Sequence, residues 1–221
     1  ANYSKQIATN LKLNEEQIQL AELIGIFHDI GRFKQVEKYH TFSDRDSGVN
    51  HAEYSIKVLY EDNLIEKFKV DDKYNHIIKK AVLNHNKSEI ETGLNEDELL
   101  FAKIIRDADK LDIFYVLCNY DFESAFWYKD FSCKEISDEI MIQCTKLHRL
   151  NYKDIKNNAD QIAVPFAYVY DLNFEFSLKY LKDKKYLDEF TRLVCDGFKS
   201  DKVHKQVKEL LECVNLYMEK E

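Results

Sequence analysis

The sequence is short of residues that break a chain. Among 221 residues there is one proline, Pro165, and there are five glycines. Sandwiches and barrels need frequent turn punctuation, whereas helices run through such a composition uninterrupted, so an all-α fold is expected. No stretch reads as a linker, and the length suits a single domain with a generous core. Internal repeats and low-complexity tracts are missing too. No apolar run is long enough to span a bilayer, and the opening ANYSKQIATNL lacks the charged-then-apolar layout of a signal peptide. The expectation is a soluble cytoplasmic protein with no membrane partner. The five cysteines, Cys118, Cys133, Cys144, Cys195 and Cys213, form no CxxC pair and no zinc-finger spacing, and are read as reduced core thiols. Positive charge is in deficit, the formal net charge being -8. A sequence-independent grip on nucleic acid needs clustered Lys and Arg, so no nucleic-acid partner is expected. A small polyphosphate held by a local metal stays compatible with that charge.

What is present is apolar residues at helical spacing, beginning with Tyr3, Ile7 and Leu11, so the chain is expected to open inside a helix. Asn14, with Gln17 three residues on, has the form of a capping box. It starts a second helix through Ile18, Leu20, Leu23, Ile24 and Phe27, expected to stop at Gly31. Residues 32–50, with Thr41, Ser43, Asp44, Asp46, Ser47 and Gly48, favour turns and local side-chain hydrogen bonds, which predicts a long loop bordering the site. Helices are predicted over residues 51–60, 72–86 and 96–119, and an amphipathic one over 202–220. Aromatics crowd the second half: Phe122, Phe126, Trp127, Tyr128 and Phe131, then Phe166, Tyr168, Tyr170, Phe174, Phe176 and Tyr180. They are read as core packing of a helical cap in preference to a substrate-stacking surface.

An adjacent pair, His28-Asp29, ends an apolar helix. Burying two such groups unpaired would be costly, so something must satisfy them. On the dipeptide alone, a capping Asp beside a satisfied histidine serves as well as a metal centre. His51 opens a helix after the polar stretch, His85 closes another, and IIRDADKLD sets Asp107 and Asp109 inside an otherwise apolar helix. Acids are rarely buried there without a partner. A divalent cation would serve. Imidazole nitrogen with carboxylate oxygen suits borderline ions such as Mn, Fe, Co, Ni or Zn, and the lack of nearby cysteine argues against structural zinc and for an open-sided catalytic site.

The ordered set, FHDIG at residues 27–31 and RDADKLD at 106–112, resembles the HD-domain metal-dependent phosphohydrolase superfamily over roughly the first 120 residues. More narrowly, HDIGRFKQ followed by HTFSDRDSGVNHA is similar to a subgroup of bacterial HD proteins. The resemblance implies one helical HD-domain bundle, with residues 1–120 as its core and 121–221 as a C-terminal helical cap of the same domain. It implies His28, Asp29 and Asp109 as metal ligands, with Asp107 as a neighbouring salt-bridged acid. In HD enzymes such as those resembling symmetrical dinucleoside-tetraphosphate hydrolases and cyclic-dinucleotide phosphodiesterases, two more histidines hold a second metal bridged by the aspartate. His51 and His85 stand where those are expected. In those resembling deoxynucleotide triphosphohydrolases, a histidine placed like His51 moves a proton near the phosphate. Both roles for His51 stay open, as does the choice between one and two divalent ions of Mn, Fe, Co, Ni, Zn or Mg. The family pattern also has a histidine ahead of His28, on the first helix. Aligning ANYSKQIA with that helix puts it a few residues before Ala1, so a trimmed chain that has lost this ligand is expected, the alternative being a degenerate site.

The reaction implied is hydrolysis of a nucleotide or other small phosphate ester by metal-activated water, with Asp29 and His51 as catalytic residues. Arg32, directly after HDIG, and Lys110, directly after Asp109, are candidates to clamp the substrate, or else to form ordinary salt bridges. His40, His76, His148 and His204 lack motif context and are read as ordinary histidines. Two other readings compete: a non-catalytic nucleotide- or metal-sensing HD module with an incomplete metal site, and a helical interaction protein whose acids and histidines form structural ion pairs. Assembly into a homo-oligomer stays open.

Overall fold

A computed structural model of the chain describes residues 1–120 and 132–220. Among the described residues there is no strand, and no helix is long and apolar enough to cross a membrane. The chain divides into two compact units, Ala1–Asp109 and Lys110–Glu221.

The first unit holds α1 (Asn2–Asn10), α2 (Glu15–Phe27), α3 (Gly31–Tyr39), the single turn α4 (Asp44–Ser47), α5 (His51–Ile56) and α6 (Asn75–Asn84). It ends inside α7 (Glu96–Asn119). A π-helical turn, Lys57–Glu61, continues α5. The capping box at Asn14 is formed: its side chain accepts from the Gln17 backbone N–H while the Gln17 side chain accepts from the Asn14 N–H. Two acids in the first turn add a favourable interaction with the helix dipole. Ile7, Ile24, Phe27, Leu59, Ile78 and Phe101 are fully buried, each stabilising the unit by about 1.5–3 kcal/mol.

One stretch departs from expectation. The helix starting at Asn14 stops at Phe27, and Gly31 opens α3 instead of closing α2. Residues 31–39 and 44–47 are helical, where an uninterrupted loop over 32–50 is predicted from the polar composition. Gly31 is required by a close approach: a Cβ there would lie 2.4 Å from Ser55 N and 2.7 Å from the Tyr54 carbonyl carbon. The inner face of α3 is also polar. Fully buried Gln35 donates to Ser47 Oγ at 2.8 Å and Asp44 Oδ1 at 3.1 Å. A helix anchored by an amide and by backbone contact shows little apolar periodicity, so its pattern resembles a loop.

The second unit takes the rest of α7, then α8 (Asp138–Lys146), α9 (Asn158–Val169), α10 (Glu175–Lys184), α11 (Tyr186–Gly197) and α12 (Asp201–Met218). Phe114, Ile140, Phe166, Phe190, Val207 and Leu210 form its centre. The aromatics pack on one another there: Phe166 and Phe190 rings lie 5.6 Å apart, Phe176 and Tyr180 5.9 Å, and Phe114 meets Tyr168 edge-on at 6.5 Å. Phe122, Phe126, Trp127, Tyr128 and Phe131 lie outside the described residues. Two polar devices fix the segment before α8. Buried Asp160 accepts N–H groups from Ser137 at 2.7 Å, Lys156 at 2.8 Å and Asn157 at 3.2 Å. Gln206 exchanges two hydrogen bonds with the Ile136 backbone, so neither is left unsatisfied. All five cysteines are free; Cys144 is buried and the others are partly so. Burial pushes the Cys144 and Cys118 thiols up to about 12, which leaves them protonated and unreactive.

Candidate metal centre

His28 and Asp29 follow directly on α2, and three neighbours fix them there. The His28 ring Nδ1 lies 3.0 Å from Gly25 O, the His28 carbonyl accepts from Ser55 Oγ at 2.8 Å, and Ser55 Oγ accepts the Gly31 N–H at 2.9 Å. A carbonyl can only accept, so Nδ1 carries the hydrogen and the lone pair of the neutral ring sits on Nε2. That nitrogen faces Asp109 Oδ1 at 3.5 Å, brought by the middle of α7, and Asp29 Oδ2 at 3.9 Å.

Two further imidazoles arrive the same way. His85 caps the C-terminus of α6 with Nδ1 donating to Val82 O at 2.6 Å, which again leaves Nε2 as the acceptor. His51, the first residue of α5, has Nδ1 2.7 Å from Asp44 Oδ2, and Asp44 also accepts the His51 backbone N–H at 3.1 Å. Such outer partners fix tautomer and ring orientation. The two Nε2 atoms of His51 and His85 lie 2.9 Å apart and 3.4 and 3.6 Å from Asp29 Oδ1. With both Nδ1 atoms occupied as donors, the short Nε2–Nε2 contact sets two lone pairs face to face. Meanwhile Asp29 Oδ1 is buried and accepts no hydrogen bond. An orphaned carboxylate oxygen amid inward-facing imidazole lone pairs is an arrangement that a cation relieves. One ligand atom each from His28, Asp29 and His85 lies within 4.8 Å of the others, a group that could hold a metal ion. The donor set, imidazole and carboxylate without thiolate, fits a borderline or hard divalent ion.

The charges interlock. Burial works to raise the Asp29 pKa, but attraction to His85, His28 and Arg32 outweighs it and holds the carboxyl well below its usual range. Burial likewise opposes ionisation of Asp109 and Asp44, and their histidine partners, His28 and His51, pull both below the ordinary value. His28 goes the other way: burial lowers its pKa, yet the contacts from Asp109 and Asp29 leave it raised. Burial, with Arg32 and His85 beside it, lowers His51.

Six residues expected at the site, His28, Asp29, His51, His85, Asp109 and Arg32, come together. Arg32 Nε donates to Asp29 Oδ2 at 2.8 Å, Nη1 to Phe42 O at 2.9 Å, and Nη2 lies 3.1 Å from His51 Nε2. Lys110 is buried in the second unit, where Nζ pairs with Asp171 Oδ2 at 2.6 Å. Asp107 is fully buried. His76 pairs with Glu98, His148 stacks on Tyr170 and His204 meets Phe198 O, which accounts for those three histidines without the site.

Asp44, Gln35 and Ser55 belong to the site's framework but read as turn formers or helix surface in the sequence. Asp44 left one signal, the TFSD…NHA pairing, whose acid and histidine stand seven residues apart and meet in the fold. Asn50 in the same motif caps α5 by accepting from Ala52 and Glu53 N–H.

No curated protein and no solved structure matches the chain. The family model described as HD domain matches residues 1–113, just over half of the sequence, and that span takes in the His-Asp pair, both further histidines and the distal aspartate. The chain belongs to the HD domain family.

Proposed function

We propose that the first unit is a metal-dependent phosphohydrolase acting on a nucleotide or other small phosphate ester. The observation that carries this reading is the buried, unbonded Asp29 Oδ1 with imidazole Nε2 atoms converging on it. His28, Asp29, His85 and Asp109 would hold one divalent cation. When bound there, such an ion supplies Lewis acidity toward a phosphoryl oxygen and toward water.

The other steps fall to the chain's own groups. Arg32 is the phosphate ligand: its planar fork, at present spread over Asp29, Phe42 O and His51, suits two oxygens of a phosphoryl group. His51 is the proton carrier. Asp44 holds its Nδ1–H and so keeps Nε2 unprotonated, and the lowered pKa of the ring keeps that atom available near neutral pH. Asp44 thereby acts through His51 as an orienting carboxylate, the third member of a base–orienter arrangement. Solvent access is limited at this point, because His51 and His85 are both buried.

The test is the chain loaded in turn with Mn, Co, Ni or Fe and offered a panel of nucleotides, phosphomonoesters and phosphodiesters. Phosphate release from at least one class is expected, lost in Asp29→Ala. Metal uptake with no turnover across the panel refutes the enzyme; tight nucleotide binding without turnover would make it a sensing module.

A further inference from the structure

The largest fully buried side chain among the described residues is a charged one, Arg106, only 2% exposed. A guanidinium is withdrawn from water at high cost unless its donors are met, and the carbonyls that meet its Nη atoms all lie in one turn. Nη1 donates to Asn84 O at 2.8 Å and to Lys87 O at 2.6 Å, and Nη2 to Ser88 O at 3.3 Å. These carbonyls bracket His85. They belong to the C-terminus of α6 and the turn after it, where a helix leaves carbonyls without partners and where positive charge is favoured. The same turn is tied on its other sides: Asn84 Nδ2 donates to Lys80 O, the Glu91 N–H donates to Asn84 Oδ1, and Asn86 Nδ2 donates to Asn50 Oδ1 at the cap of α5. Arg106 also stands one helical turn before Asp109 on α7, and Asp109 faces His28.

We propose that Arg106 is the positioning residue of the metal centre: by clamping the turn at residues 84–88 it holds His85 Nε2 against Asp29 and locks that turn to the helix carrying Asp109. This rests on the metal-binding reading above, but not on any particular substrate. It differs from plain structural support, because the clamp acts on the one turn whose backbone aims His85.

Arg106→Gln and Arg106→Lys, with Gln206→Ala in the second unit as a control for general destabilisation, test it by two readouts that need no turnover. In metal-free protein, nitrogen NMR of the imidazoles is expected to show His85 as the Nδ1–H tautomer in the unaltered chain and a mixture of tautomers in Arg106→Gln. In a visible-absorption titration with Co(II), Arg106→Gln is expected to bind about 10–100-fold more weakly, as supporting partners of metal ligands do, with partial recovery in Arg106→Lys. Wild-type tautomer and affinity in Arg106→Gln overturn the proposal; so does an equal loss of Co(II) affinity in Gln206→Ala at matched thermal stability. If Arg106→Gln does not fold, Arg106→Lys carries the test: a weakened and spectrally altered Co(II) complex supports the clamp, an unchanged one overturns it. If the unaltered chain takes up no Co(II), the metal reading fails, while the His85 tautomer in metal-free Arg106→Lys still decides the positioning role.

Discussion

Gly31→Ala isolates the contact that sets the His-Asp pair in place. The added methyl would lie 2.4 Å from Ser55 N, 2.7 Å from the Tyr54 carbonyl carbon and 2.9 Å from Ser55 Cα, all backbone atoms of α5 and none of them free to swing aside. Helix α3 must therefore move off α5. Overpacking of this kind costs about 1–3 kcal/mol. The shift also stretches the Gly31 N–H to Ser55 Oγ bond and, with it, Ser55 Oγ to His28 O, each worth about 0.5–1.5 kcal/mol. Against these stands a gain of about 0.4–1 kcal/mol from the stiffer unfolded chain. The net expectation is a loss of about 1–5 kcal/mol, to be read from the midpoint of urea unfolding in metal-free protein. Ser55→Ala removes the hydrogen bonds without the clash and should cost about 1 kcal/mol less than Gly31→Ala if the clash adds its share. A neutral or stabilising Gly31→Ala would refute the reasoning, since it would mean that the α3–α5 approach is loose and that Gly31 serves only as a helix start.

Three further outcomes are expected. Asp44→Asn keeps an acceptor beside His51 but removes the charge that fixes its tautomer, so kcat should fall by about 10²–10⁴-fold while Co(II) affinity is unchanged; a parallel loss of metal would make His51 a ligand instead of the proton carrier. Asp29→Ala should abolish Co(II) uptake, and uptake at wild-type affinity would show that the ion sits elsewhere. The pH dependence of thermal stability in EDTA has two limbs of opposite sign. Asp29, Asp44 and Asp109 have folded pKa values depressed by their partners, so their contribution is complete above about pH 4 and drains away as pH falls through the folded values. His28 is raised, so its contribution is complete below about pH 6.5 and is lost as pH rises through its folded value. Asp109→Asn should flatten the second limb and remove its own share of the first; an unchanged alkaline limb would separate His28 from Asp109.

The helices legible in the sequence were those whose stability comes from apolar burial. Helix α7 runs over residues 96–119 as its Leu, Ile and Phe spacing predicts, and α2 starts where its capping box says. Helix α3 was hidden because its buried anchor is Gln35 and its neighbour contact is a glycine against backbone, neither of which leaves an apolar stripe. The site divides along the same line. Residues that present chemistry directly, His28, Asp29, His51, His85 and Asp109, announce themselves as polar groups in apolar surroundings or at helix ends. Asp44, Ser55 and Arg106 work by holding other groups, and such a role exists only once the chain has closed.

That distinction also bears on why a short motif can specify this much geometry. The Asp29 carboxylate is useful only while Oδ1 is kept from ordinary hydrogen-bond donors and yet faced by nitrogen lone pairs. Each imidazole meets that condition because its other nitrogen is already committed, to Gly25 O, to Val82 O or to Asp44 Oδ2. Two of those acceptors are backbone carbonyls three residues upstream, in the last turn of the helix that each histidine follows. Only the third, Asp44, has to be brought by a separate turn, which Ser43 caps and Gln35 clamps. The imidazole that depends on that turn is the one proposed to move a proton, so on that reading a single carboxylate would separate the proton carrier from the residues that would hold the cation.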